Sequence, residues 1–214
     1  MAEQAPVVVV RGEATREVPP EQAVLSVVVS ARDRDRDTVM SRLSERSAAV
    51  REVLDSFTEA IEKRETSHVH VYPDLKRRSE QAVAYVASSG TNVTVTDFAA
   101  LGDLMLRLVA LEQVAVSGPW WRLRPGSKAG AQVRSDAISD ALLRAKEYAA
   151  AVGARVQRLV EIADESGGGP GPFMALAVSA PTSRDAHLEF DPQMQTVQAS
   201  VTVRVTITEP DWNE

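Results

Sequence analysis

The chain contains no cysteine. That absence removes disulfides, thiolate-bound zinc and cysteine nucleophiles together. It leaves the redox compartment open, because a chain without thiols suits either environment. Aromatic residues make up only 5%, so the core has to be assembled mainly from Val, Ala and Leu, and a large aromatic ligand pocket is not expected. No stretch approaches the roughly 20 consecutive apolar residues that a membrane-crossing helix requires. Met1 to Pro6 offer neither a basic start nor a long apolar stretch and do not read as a secretory signal. The expected location is therefore cytoplasmic, or exported if a signal has been removed. An excess of positive charge is missing too. At a net charge of -6 the protein lacks the basic field of a dedicated nucleic-acid binder. Its basic clusters, Lys76-Arg77-Arg78 and Arg122 with Arg124 and Lys128, are short enough to be solvated surface.

What is present fits a folded protein. A chain of 214 residues with 44% hydrophobic and 25% charged residues builds one large domain or two small ones sharing an interface. Val7 to Val10 reads as a short strand stopped by Gly12. Residues 22–31 carry Ala and Val on both alternating faces, the pattern of a strand covered on both sides over part of its length. From 38 to 63 the period turns helical through Val39, Leu43, Val50, Val53, Leu54 and Phe57, with Asp37 or Thr38 as N-cap. A strand follows over 66–72, ending at Pro73. Residues 81–88 and 91–96 form a strand pair or one long bulged strand, with Ser88-Ser89-Gly90 as the irregularity. Asp97 is the expected cap of a second helix through Leu101, Leu104 and Leu108.

Residues 117–164 read as a strand–helix–strand unit. The strand 114–123 is interrupted at Gly118-Pro119. Its helix, 127–152, is rich in alanine, with Ile138, Ala141, Leu142, Ala145, Tyr148, Ala149 and Val152 along one stripe. Alanine there lets a helix approach a sheet closely, and Gly153 stands where a left-handed C-cap is expected. Glycines and prolines over 166–172 mark a loop, a weaker strand is expected over 173–179, and 180–192 is irregular. Residues 197–208 close the chain with strict alternation, the clearest half-buried strand. The order of elements gives an α+β fold of antiparallel sheets covered on one side by helices, the third helix long and Ala-rich.

This order and spacing resemble the SIMPL-domain family, a domain of unknown function that includes bacterial periplasmic immunogenic proteins and a mammalian kinase-associated adaptor. The resemblance rests on VVVVRG over 7–12, PEQAVL over 20–25, AYVA over 84–87 leading to VTVTD over 93–97, and LGDL over 101–104. It continues through the helix over 137–153, with AK at 145–146, and VTVRV over 201–205. It implies a single SIMPL-like domain over 1–214, with two possible subregions, about 1–65 with 193–214 and about 66–192. It further implies homo-oligomers, no established enzymatic activity and no cofactor. Bacterial members usually begin with an export signal, which these first residues do not form.

Few residues carry candidate chemistry. His68 and His70, two apart on a strand, point the same way. Paired imidazoles suit zinc or copper but need further ligands, for which His187, Glu189 and Asp191 are the sequence's candidates; the bland alternative is a polar solvent-facing strand. Ser117-Gly118 and Ser88-Ser89-Gly90 lack the pattern of a nucleophile elbow. The glycine-rich 167–171 has no following Lys-Ser/Thr and is a hinge rather than a phosphate cradle. Arg32, Asp33, Arg34 and Asp35 open an alternating run that is either a solvated strand end or a charged edge pairing with another subunit. Trp120 and Trp121 face opposite ways on a strand. Either both are buried within the chain or one, beside Arg122 and Arg124, anchors a contact.

Three function classes stay open on these residues: a non-enzymatic, self-associating scaffold or stress-related protein, a module binding a small ligand or a protein partner, and a metal-dependent enzyme centred on His68 and His70.

Overall fold

A computed structural model describes residues 5–75, 82–165 and 188–211. Along these residues run β1 (Val7–Val18), β2 (Gln22–Asp33), α1 (Arg36–Asp55), β3 (Ile61–Leu75), β4 (Ala82–Val95), α2 (Leu101–Val109), β5 (Val114–Arg122), α3 (Ala129–Ala151), β6 (Val156–Asp164) and β7 (Gln195–Ile207). The α+β class holds, with two antiparallel sheets. Packing divides the chain into two compact units, one holding β1, α3, β6 and β7, the other β2 through β5 with α1 and α2. A subdivision near residue 65 does not follow the sheets, since β3 and β4 continue the sheet of β2. The Lys76-Arg77-Arg78 cluster, the glycine-rich 167–171, the strand expected over 173–179 and His187 lie outside the described residues.

In the first unit the sheet order is β1-β7-β6. β1 does not stop at Gly12; it pairs with β7 from Val7 opposite Thr206 to Val18 opposite Gln195. Gly12 is there for α3, not for a turn. A methyl group at this position would overlap the Ala137 carbonyl oxygen and lie 2.6 Å from the Ala141 Cβ. The helix is buried through Val133, Ala137, Ala141, Ala145 and Ala149, against Val10, Ala199, Val201, Val203 and Val205. Small side chains at every fourth position make the close approach possible. Tyr148, expected in that stripe, is 60% exposed, because the stripe is narrower than the pattern of apolar residues. Gly153 has φ 69°. The amides of Gly153 and Ala154 donate to the carbonyls of Ala150 and Ala149 at 3.0 and 2.8 Å, closing the helix in a Schellman motif.

The second unit has sheet order β3-β4-β2-β5. One face carries Leu25, Val27 and Val29 of β2 and Val93 and Val95 of β4, clustered with Val39, Leu43, Val50 and Leu54 of α1 and Leu101, Leu104 and Leu108 of α2. α1 ends at Asp55, eight residues before the expected 63. The Ser56 and Thr58 hydroxyls turn back on the carbonyls of Val53 and Asp55 at 2.6 and 2.8 Å, the competition that ends helices at such residues. The N-cap is Asp35, not Asp37 or Thr38. β3 runs through Pro73 to Leu75, a residue that an edge strand tolerates because its missing donor can face outward. β4 is one strand, and Ser88-Ser89-Gly90 pair with β2 in unbroken register. Asp97 accepts the Ala99 amide at 3.0 Å in the turn before α2, which starts only at Leu101. Gly118-Pro119 is a cis peptide where the β2–β5 register shifts between Val24 and Ser26.

The strand–helix–strand reading of 117–164 is therefore corrected. β5 pairs with β2 in the four-stranded sheet and β6 with β7 in the other, while α3 lies on β1 and β7. Consecutive elements here do not share a layer, because the alanine stripe fits the sheet face that contains Gly12.

Candidate functional site

With α1 and α2 on one face of the four-stranded sheet, the other face is written by alternation. Registers carry it from His68 and His70 of β3 to Gly90 and Ser88 of β4, then to Val28 and Ser30 of β2. Two turns of the pleat away, Val24 stands opposite Trp120. His68 is half-buried and His70 exposed. Their rings stack with centroids 5.0 Å apart at 27°. Three local features hold them. The β3–β4 register shifts between Thr66 and His68, so Ser67 is an extra residue just before the pair, and such bulges re-aim side chains. The Ser67 hydroxyl lies 3.2 Å from His68 Nδ1. Gly90 gives the imidazole its room: a methyl there would overlap the His68 ring. No third His, Asp or Glu joins the pair among the described residues, so Glu189 and Asp191 are not brought to it.

The two tryptophans separate as their alternation requires. Trp121 is buried and meets Phe98 edge-on at 4.8 Å and 79°, a geometry aromatic rings favour. Trp120 is half-buried on the opposite face. Arg122 ends β5 opposite Gln22, and both Arg122 and Arg124 are exposed.

The alternating run is used within the chain. Arg32 pairs with Asp74 at 2.5 Å, and Asp33 with Arg42 at 2.8 Å. The other Asp33 oxygen accepts the Arg34 amide at 2.7 Å. Asp35 accepts the Thr38 amide and hydroxyl, each at 2.8 Å. Those two donors, the amide first, hold the Asp35 carboxyl below its ordinary value. β2 lies between β4 and β5 rather than at the sheet edge.

A further feature had no signal in the sequence. α1 and the α2–β5 connection enclose a cleft of about 600 Å³ lined by Arg42, Glu45, Arg46, Leu111, Glu112 and Val114. Arg46 donates to the Ser30 carbonyl at 2.9 Å and faces Glu112 at 3.6 Å. Gln113 has φ 58°, and its carbonyl accepts the Ser30 amide at 3.0 Å. With Arg42 on Asp33 and Arg46 on Ser30, the cleft's cations tie α1 to the sheet.

The model of the SIMPL family, described as a protein of unknown function (DUF541), matches residues 8–205. The chain belongs to the SIMPL family. The match spans both units, from β1 to β7. No curated protein matches it. The SIMPL assignment fixes kinship and fold, and it assigns no reaction to any of these residues.

Proposed function

We propose that this SIMPL protein is a non-enzymatic, self-associating scaffold, of the stress-related kind that the family resemblance implies. The observation that supports this reading is the apolar character of its sheet edges. β3 and β6 each end a sheet. Val69, Val71, Tyr72 and Leu75 are exposed on the first, and Leu159, Val160 and Ile162 on the second. Monomeric proteins blunt such edges with charge, proline or cover, because an open row of amides and carbonyls templates pairing with another chain. From Val69 to Leu75, β3 carries four exposed apolar residues beside His70, Pro73 and Asp74, and on β6 Leu159 and Val160 are adjacent, with Ile162 beyond Glu161. Light scattering at micromolar concentration tests the reading. The expected result is a mass above that of one chain, lowered by Val160→Lys or Val69→Lys. A strict monomer across the concentration range sinks it.

A further inference from the structure

We propose that the cleft between α1 and the α2–β5 connection binds a small organic carboxylate, held by Arg42 and Arg46. The inference does not depend on self-association. Its carrying observation is guanidinium capacity that the chain itself leaves unused. A guanidinium has five N–H donors. Arg46 uses one on the Ser30 carbonyl at 2.9 Å, and the Glu112 oxygen near its Nη2 is 3.6 Å away, beyond hydrogen-bond reach. Arg46 lines the cleft with only 22% of its side chain exposed, so the space its remaining donors meet is the cleft. Arg42, one helical turn earlier on the same lining, meets Asp33 at 2.8 Å through Nη1 alone.

Two cations one turn apart on a helix repel each other mildly, a cost that an anion shared between them removes. The planar fork of a guanidinium matches a carboxylate in a two-point pair. Ala49, Leu111 and Val114 add apolar surface to the lining, which suits a short aliphatic remainder. The volume of about 600 Å³ lies within the range of small-molecule sites, about 300–1,000 Å³. Glu112 is the competitor. Its side chain is 83% exposed, and an ion pair made by so exposed a group is weak. A ligand carboxylate inside the cleft displaces it.

The cleft is fixed in shape from one residue. The Ser30 carbonyl accepts from Arg46, and the Ser30 amide donates to the Gln113 carbonyl at 3.0 Å. Gln113 stands between the lining residues Glu112 and Val114 with φ 58°, a left-handed backbone that is uncommon outside glycine. Such conformations persist where the surroundings over-determine them, and they gather at ligand-holding sites. A preformed wall loses little affinity to ordering.

The experiment titrates the full chain, without a polyhistidine tag, with 4-methylpentanoate and follows the arginine Nε–H signals by NMR. Two further probes divide the ligand's features: 4-methylpentanamide keeps the shape without the charge, and inorganic phosphate keeps a charge without the aliphatic part. The expected result is saturable binding of one carboxylate per chain, moving the Arg42 and Arg46 signals, with no binding of the amide. Phosphate should bind at least about tenfold more weakly. Glu112→Gln removes the competitor and should tighten carboxylate binding by about two- to fivefold, the worth of an exposed pair. Arg46→Lys keeps the charge and a donor for Ser30, loses the fork, and should weaken binding at least about tenfold while circular dichroism shows it folded. Shifts that never saturate, or that sodium chloride reproduces at equal ionic strength, mean an adventitious ion only and overturn the proposal. So does an amide that binds as well as the carboxylate, phosphate that binds more tightly, or Arg46→Lys that binds like the parent.

Discussion

Gly12, Asp35 and Trp121 show how single residues carry this structure. At Gly12 the side chain is absent because α3 occupies its place: a Cβ there would lie 2.5 Å from the Ala141 amide nitrogen. Gly12→Val forces helix and sheet apart, a cost of the overpacking kind, about 1–3 kcal/mol or more, to be read as a lower urea midpoint. Trp121→Ala empties a contact with Phe98 and is expected to cost about 3–5 kcal/mol. Trp120→Ala, on the half-buried face, should cost distinctly less; equal losses would contradict the placement. Asp35 gives a pH-dependent test. Its carboxyl is held below the ordinary 3.8, so the cap stabilises the folded state fully above that value and ceases to as the pH falls through the lowered one. Asp35→Ala should therefore lower Tm most at neutral pH, with the gap to the parent narrowing below about pH 4. Asp35→Asn, still a good N-cap, should keep most of the neutral-pH Tm and show no such narrowing.

Among the elements, α3 and α2 bury their faces by opposite means. α3 uses alanines at every fourth residue and stands close to its sheet; α2 fills space with Leu101, Leu104 and Leu108, all fully buried. Enlarging the first and trimming the second should both destabilise. Ala141→Leu is expected to cost about 1–3 kcal/mol and Leu104→Ala about 2–5 kcal/mol, measured by chemical denaturation. Leu143→Glu, at an exposed position of α3, serves as the control and should change stability little. The existence of these helices was legible because apolar residues recur at helical spacing. Their ends were not. The hydrophobic period continues through Phe57 after α1 has stopped, and only the hydroxyls of Ser56 and Thr58 decide the boundary. The start of α1 likewise turned on which aspartate met the Thr38 amide.

For the whole molecule, the proposed self-association turns on the sheet edges. β6 exposes Leu159, Val160 and Ile162, and the proposed self-association predicts that Val160→Lys lowers the mass in solution while leaving Tm within a degree or two, since that side chain is already half in solvent. Of the candidate site, the sequence showed that His68 and His70 share a face. It did not show the bulge at Ser67, the space over Gly90 or the 5.0 Å between the rings, because these depend on how β3 and β4 register.

Alternation and helical period, read from residues alone, determined the class of the fold, the order of its elements, the left-handed cap at Gly153 and the opposed directions of Trp120 and Trp121. These are local properties, set by the backbone's own geometry within a few residues. Tertiary structure decided which strands share a sheet. It placed β5 and β6, neighbours across α3 in the chain, in different sheets. It also turned Gly12 from a turn residue into a packing residue and left β3 and β6 at the edges. Those outcomes rest on complementarity between distant segments, the alanine stripe of α3 against β1 and β7 above all, and such complementarity leaves no periodic mark along the chain.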